Sequence, residues 1–158
     1  MNKEIERKFL VKQLPDNLQQ YPSTQITQGY LAITEDGTEV RLRKKGDRYF
    51  QTVKSGFGLQ RGETEIEISK DQFEKLWSMT EGKRIEKLRF EIDYLGIKVE
   101  LDIYSGSLEG LIVAEVEFPS IEQAKSFVPP SCFGREVTED ERYKNRNLVL
   151  YGIPDKFN

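Results

Sequence analysis

Acidic and basic side chains recur at every second residue in seven short stretches of this chain. Glu4, Glu6 and Lys8 alternate with Ile5, Arg7 and Phe9 in EIERKFLV. Basic pairs stand in EVRLRKK (Arg41, Arg43) and EKLRFEI (Lys87, Arg89), and acidic pairs in GETEIEIS (Glu63, Glu65, then Glu67) and AEVEF (Glu115, Glu117). Lys54 ends YFQTVK, and Asp102 sits between apolar neighbours in VELDIY. Carboxylates bind hard cations through oxygen, and guanidinium and ammonium groups bind phosphate oxygens. Gathered on one surface, the two sets suit a metal-bound polyphosphate.

Such a surface needs extended segments, because an extended chain sends alternate side chains to opposite faces. Most alternating strands simply turn charge to water and apolar residues to a core. Repetition argues for more here. Same-sign pairs at i and i+2 repel unless opposite charges, a metal or an anionic ligand face them. Periodicity alone leaves open whether the charged faces lie inside or outside.

Composition narrows the chemistry. The chain has 158 residues and no repeat, and is read as a single domain over 1–158. Its net charge of −3 and pI near 5.3 argue against a sequence-independent nucleic-acid binder. Apolar runs fall short of a membrane span and MNKEIE carries no apolar signal region, so a cytoplasmic protein with no membrane partner is expected. Histidine is absent, which removes His-dependent triads, imidazole-bound zinc and a His base. Carboxylate-only ligands favour magnesium or manganese. The single cysteine, Cys132, is expected to be buried and inert. No GxxxxGK[ST] motif is present, so no P-loop holds a nucleotide.

Strand signals fall at about residues 3–11, 25–34, 38–45, 48–54, 62–69, 84–94, 97–104 and 111–118. The turns Glu35-Asp36-Gly37, Lys45-Gly46-Asp47, Leu95-Gly96 and Ser105-Gly106-Ser107 join them as antiparallel neighbours. Ser55-Gly56-Phe57-Gly58-Leu59 reads as a hairpin loop. Helical spacing appears from Ser69 or Lys70 to near Gly82, with Phe73 and Trp77 as core residues, and around Ile121, Ala124 and Phe127. A third helix is expected over about 138–151, with Thr138 and Glu141 as a capping box and Gly152 as its end.

The opening ExExK of Glu4, Glu6 and Lys8 resembles that of the CYTH or triphosphate tunnel metalloenzyme superfamily. VRLRK, TVKS, ETEIE, EKLRF, ELDIY, AEVEF and EVTEDERYKN follow in the family's order over nearly the whole chain. The resemblance implies a mainly β fold: a closed, eight-stranded antiparallel barrel whose charged interior is a tunnel, with a few flanking helices and the C-terminal helix closing one end.

By position, the resemblance implies Glu4, Glu6, Asp102, Glu115 and Glu117 as ligands of Mg2+ or Mn2+. It implies Arg41, Arg43, Lys54, Lys87, Arg89, Arg142 and Lys144 as phosphate-binding residues, and Glu63 and Glu65 as a further acidic pair in the tunnel. Lys8 and Tyr30, in QGYLA, resemble the pair that orients the attacking water in the short bacterial inorganic triphosphatase branch. The expected reaction is metal-dependent hydrolysis of inorganic triphosphate, a small-molecule polyphosphate, to pyrophosphate and phosphate. Adenylate cyclase of class IV, thiamine or nucleoside triphosphatase, and a non-enzymatic phosphate-chain binder are the alternatives.

Overall fold

A computed structural model of the chain describes residues 5–55 and 62–154. The period-two stretches form strands within a few residues of their expected limits: β1 (Ile5–Val11), β2 (Ser23–Ile33), β3 (Glu39–Lys45), β4 (Arg48–Ser55), β5 (Gly62–Ile68), β6 (Arg84–Tyr94), β7 (Ile97–Ser105) and β8 (Ile112–Phe118). A ninth, β9 (Phe133–Glu136), has no counterpart in the sequence reading. The loop expected at Ser55–Leu59 lies, beyond Ser55, outside the described residues.

The nine strands form one sheet in the order β5-β4-β3-β2-β6-β7-β8-β1-β9, and every pairing is antiparallel. This corrects the expected closed eight-stranded barrel, because the sheet is open and has nine strands. Closure would require β1 to pair with β5. Instead β9 occupies the free edge of β1, with Phe9 opposite Glu136 and Val11 opposite Phe133. Over Phe9–Val11 both edges of β1 are thus taken, and among the described residues β5 pairs with β4 alone.

Helices cover the apolar face. Helix α1 (Lys70–Trp77) starts at a capping box in which Ser69 Oγ accepts from the Gln72 N–H and the Gln72 side chain accepts from the Ser69 N–H. It stacks Phe73 on Trp77 (4.9 Å) and against Tyr49 of β4 (5.0 Å), so Phe73 is the core residue expected, while Trp77 is half-buried. Helix α2 (Ile121–Ser126) packs with β9 over a cluster of Phe9, Val99, Val116, Phe118 and Phe133. Cys132 borders this cluster half-buried rather than buried.

Gly29 of β2 lets the 3-10 turn Ser78–Thr80 approach closely, since a Cβ there would lie 2.6 Å from both Thr80 Cβ and Oγ1. Thr80 has no room to yield: it is fully buried, donates to the Trp77 carbonyl and accepts from Arg84 Nε. Gly29→Ala is therefore expected to destabilise the fold by about 1–3 kcal/mol through overpacking. Thr80→Gly in the same chain should recover part of the loss in urea denaturation.

The third helix is shorter than expected. Thr138 caps no helix: its Oγ1 accepts from the Lys8 N–H and donates to Glu136. A 3-10 turn, Glu141–Tyr143, is capped by Asp140, and α3 runs over Asn145–Tyr151, ending at Gly152 with φ 78°. Local side-chain bonds to the backbone compete with helix over this acidic stretch. Among the described residues no helix is long and apolar enough to cross a membrane.

Candidate functional site

Residues directly opposite in a sheet point to the same face, so the register locates each charged side chain. Lys8 lies opposite Glu115, and Glu6 opposite Glu117. Glu115 lies opposite Glu100, which is two residues from Asp102, and Asp102 faces Arg89. Lys87, two residues from Arg89, faces Ile26, which is two residues from Gln28. Gln28 faces Arg43, Tyr30 faces Arg41, Arg41 faces Thr52, and Thr52 faces Glu65; Lys54 lies between Glu39 and Glu63. Thus Glu6, Lys8, Tyr30, Arg41, Arg43, Lys54, Glu63, Glu65, Lys87, Arg89, Asp102, Glu115 and Glu117 all share one face. Glu4 lies outside the described residues.

That face has two zones. At one end Tyr30, Ile85, Tyr104 and Val113 form an apolar cluster on which Val137, Tyr143 and Leu148 of the C-terminal segment pack. Two polar contacts fasten the segment there: Lys8 Nζ donates to the Tyr143 carbonyl at 3.2 Å, and Tyr104 Oη donates to Asn145 Oδ1 at 2.8 Å. The charges occupy the next rows of the same strands. At the centre they are withdrawn from solvent, Lys87 being 1% exposed and Asp102 4%, while Glu6 is exposed. Toward the β5 edge, Glu63 and Glu65 are exposed, Glu65 accepting from Thr52 Oγ1 at 2.8 Å.

Asp102 is the hub of the basic group. Lys87 Nζ donates to its Oδ2 at 2.9 Å, and Arg89 reaches it through Nε (2.8 Å) and a second nitrogen (3.0 Å). Arg89 also pairs with Glu100 at 2.6 Å. Burial alone would raise the Asp102 pKa, but Lys87 and Arg89 outweigh it and bring it down to about 2. Burial pushes Lys87 down to about 8 despite Asp102, with Arg89 and Arg43 adding repulsion. Asp102, expected as a metal ligand, therefore has both oxygens engaged with cations.

Arg43 is pushed down to about 10 by burial, then by Arg41 and Arg89. Converging cations of this kind favour a bound anion. Burial raises the Tyr30 hydroxyl pKa above its ordinary value, so Tyr30 stays a neutral phenol, 2% exposed.

On the acidic side, burial would raise the Glu115 pKa, but a hydrogen bond with Glu6 and the charges of Lys8, Lys87 and Arg89 lower it. Neighbouring carboxylates repel, and a hard cation relieves that repulsion with oxygen ligands. The donor chemistry therefore fits Mg2+ or Mn2+, with further oxygens drawn from a phosphate. Among the described residues no group of three acidic side chains is close enough to hold a metal ion by itself. Arg142 and Lys144 are exposed and engaged within the C-terminal segment, pairing with Asp140 (2.7 Å) and Glu141 (2.9 Å).

Sequence reasoning missed Glu100 and Gln28. Glu100 continues the alternation of VELDIY and was legible from it. Gln28 is uncharged, and nothing in its type marks it out. It is 0% exposed, its Oε1 accepts from Arg43 Nε at 3.0 Å, and its Nε2 finds no acceptor among the described residues.

One antiparallel sheet thus gathers carboxylates and clustered cations on a single face, a charged surface built from period-two strands. The chain belongs to the CYTH domain family, whose model matches residues 2–129. It is 49% identical over 148 residues to an inorganic triphosphatase of Nitrosomonas europaea, covering 93% of this chain and 97% of that protein. It is 38% identical over 152 residues to an inorganic triphosphatase of Acetivibrio thermocellus, with 94% of each covered. The crystal structure of an inorganic triphosphatase matches with a TM-score of 0.79 at 48% identity, covering 95% of this chain and 96% of that one. A protein from Pyrococcus furiosus, 19% identical with a TM-score of 0.53 over 77% of this chain and 83% of its own, shares the fold alone.

Proposed function

We propose that this chain hydrolyses inorganic triphosphate to pyrophosphate and phosphate with Mg2+ or Mn2+. The observation that carries the reading is the register: carboxylates and cations from seven strands share one face, in a chain 49% identical to a protein named an inorganic triphosphatase.

In this reading Arg41, Arg43, Lys87 and Arg89 bind the phosphate chain, and Lys54, with the acidic pair Glu63 and Glu65, extends the site toward the β5 edge. Guanidinium forks fix phosphate oxygens in direction as well as charge. Glu6, Glu115 and Glu117, with Glu4, would hold the cation, which supplies charge neutralisation at the phosphate oxygens. Asp102 instead holds Lys87 and Arg89 in place.

A water oxygen bonds to the terminal phosphorus while the bond from that phosphorus to the bridging oxygen breaks, and the electron pair leaves with pyrophosphate. Lys8 and Tyr30 orient the water. Tyr30, held as a phenol, does so by hydrogen bonding rather than by taking the proton. The C-terminal segment closes the apolar end of the site, which sets how deep the phosphate chain enters.

Incubation with triphosphate, ATP and thiamine triphosphate, with and without chelator, tests the reading by chromatography of products. Inorganic triphosphate is expected to be cleaved fastest, and chelated protein to remain folded and inactive. Cyclic AMP from ATP with triphosphate left intact would make the protein a cyclase. Full turnover with chelator present would remove the cation from the reaction.

A further inference from the structure

The basic residues of the site are held in two different ways. Arg89 is held by carboxylates, Asp102 at 2.8 Å and Glu100 at 2.6 Å, so much of its charge is answered within the protein. Arg43 is held by an amide: its Nε donates to Gln28 Oε1 at 3.0 Å, and among the described residues no ion pair engages it. Gln28 is fully buried opposite Arg43 on the neighbouring strand. Because Arg43 Nε can only donate, it fixes which end of the carboxamide faces it. The carboxamide nitrogen is thereby turned away to a place where it finds no acceptor among the described residues. A side chain serving the fold alone would not leave a buried donor unpaired.

We propose that Gln28 is a positioning residue of the phosphate-binding wall: its carboxamide oxygen aims the Arg43 guanidinium while leaving the charge of Arg43 uncancelled for an oxygen of the bound phosphate chain. The inference rests on the triphosphate reading above and deepens it. A carboxylate of the same length would aim Arg43 equally well and form an ion pair with it. An apolar side chain would leave the charge and lose the aim. Only a neutral acceptor supplies both, in a cluster where Arg41 and Arg89 already repel Arg43.

The test compares Gln28→Glu and Gln28→Met with wild type, each verified as folded by thermal unfolding. Binding of a non-hydrolysable imido-bridged triphosphate is measured by calorimetry over a range of salt, and kcat and KM are measured with triphosphate. For Gln28→Glu, Kd should rise at least about tenfold, and the slope of log Kd against log salt should fall by about one unit, because one cation has been neutralised.

For Gln28→Met the salt slope should be unchanged while kcat falls more than KM rises, because charge is kept and direction lost. In an Arg43→Met background, Gln28→Glu should add little, since the group it acts through is gone. A folded Gln28→Glu protein with wild-type affinity and salt slope overturns the proposal, as does equal behaviour of the two variants. Failure of wild type to bind the analogue would overturn the triphosphate reading instead.

Discussion

Asp102→Asn is expected to lower the stability of the metal-free protein by about 3–5 kcal/mol, because it leaves Lys87 and Arg89 buried without their common counter-charge. Lys87 has no other ion-pair partner among the described residues, while Arg89 keeps Glu100. The loss is read from the urea midpoint. Adding triphosphate or pyrophosphate should restore more stability to the variant than to wild type, since an anion then meets both cations. Acidification supplies an internal check. The Asp102 pKa is lowered from 3.8 to about 2, so its pairing stabilises the fold above pH 3.8, and this contribution is lost as pH falls toward 2. Wild type and variant should therefore converge in acid. A midpoint unmoved at neutral pH would remove Asp102 as the hub of the basic group.

Glu115→Gln should reduce triphosphate turnover by about two to four orders of magnitude while leaving the protein folded. Burial would raise the Glu115 pKa, but a hydrogen bond with Glu6 and the charges of Lys8, Lys87 and Arg89 lower it, so the group is held as a carboxylate. An amide at position 115 keeps the size and hydrogen-bonding capacity of the side chain but carries no charge. It therefore removes one of the four carboxylates proposed to hold the divalent ion. Loss of rate in a protein that still unfolds cooperatively, with weaker Mn2+ binding by titration calorimetry, is the expected combination. A variant that unfolds early would show instead that the pair is needed for folding, and near wild-type rates at saturating metal would exclude Glu115 as a ligand.

The strands and the common face were legible in the sequence because both follow from period two: once Glu6, Arg43, Lys87 and Glu115 sit on alternating strands, only the pairing register is needed to align them. Burial was not legible, since alternation reads the same whether charge meets water or a bound anion. Closure was beyond it as well. It depended on β9, whose four residues, FGRE, are too short and too glycine-containing to show a pattern, yet they occupy the edge that a barrel would need. The C-terminal helix was overextended because Thr138 and Glu141 have capping-box spacing, while tertiary contact gives Thr138 to the backbone of Lys8. Asp102 stood out by its place between apolar neighbours, but its partners Lys87 and Arg89 could be assigned only from distances. Gln28 carries no charge and was invisible to a search built on charge.

The first strand of the sheet pairs only with late ones: β1 lies between β8 and β9, and Lys8 bonds to Tyr143, 135 positions further along. Loop closure over such separations slows folding. It also orders events during synthesis. The segment β2 to β7 can pair locally as it leaves the ribosome, whereas Glu6 and Lys8 must wait, unpaired, until β8 has been made. Glu115 meets Glu6 only then, so the acidic part of the shared face is completed after the basic one.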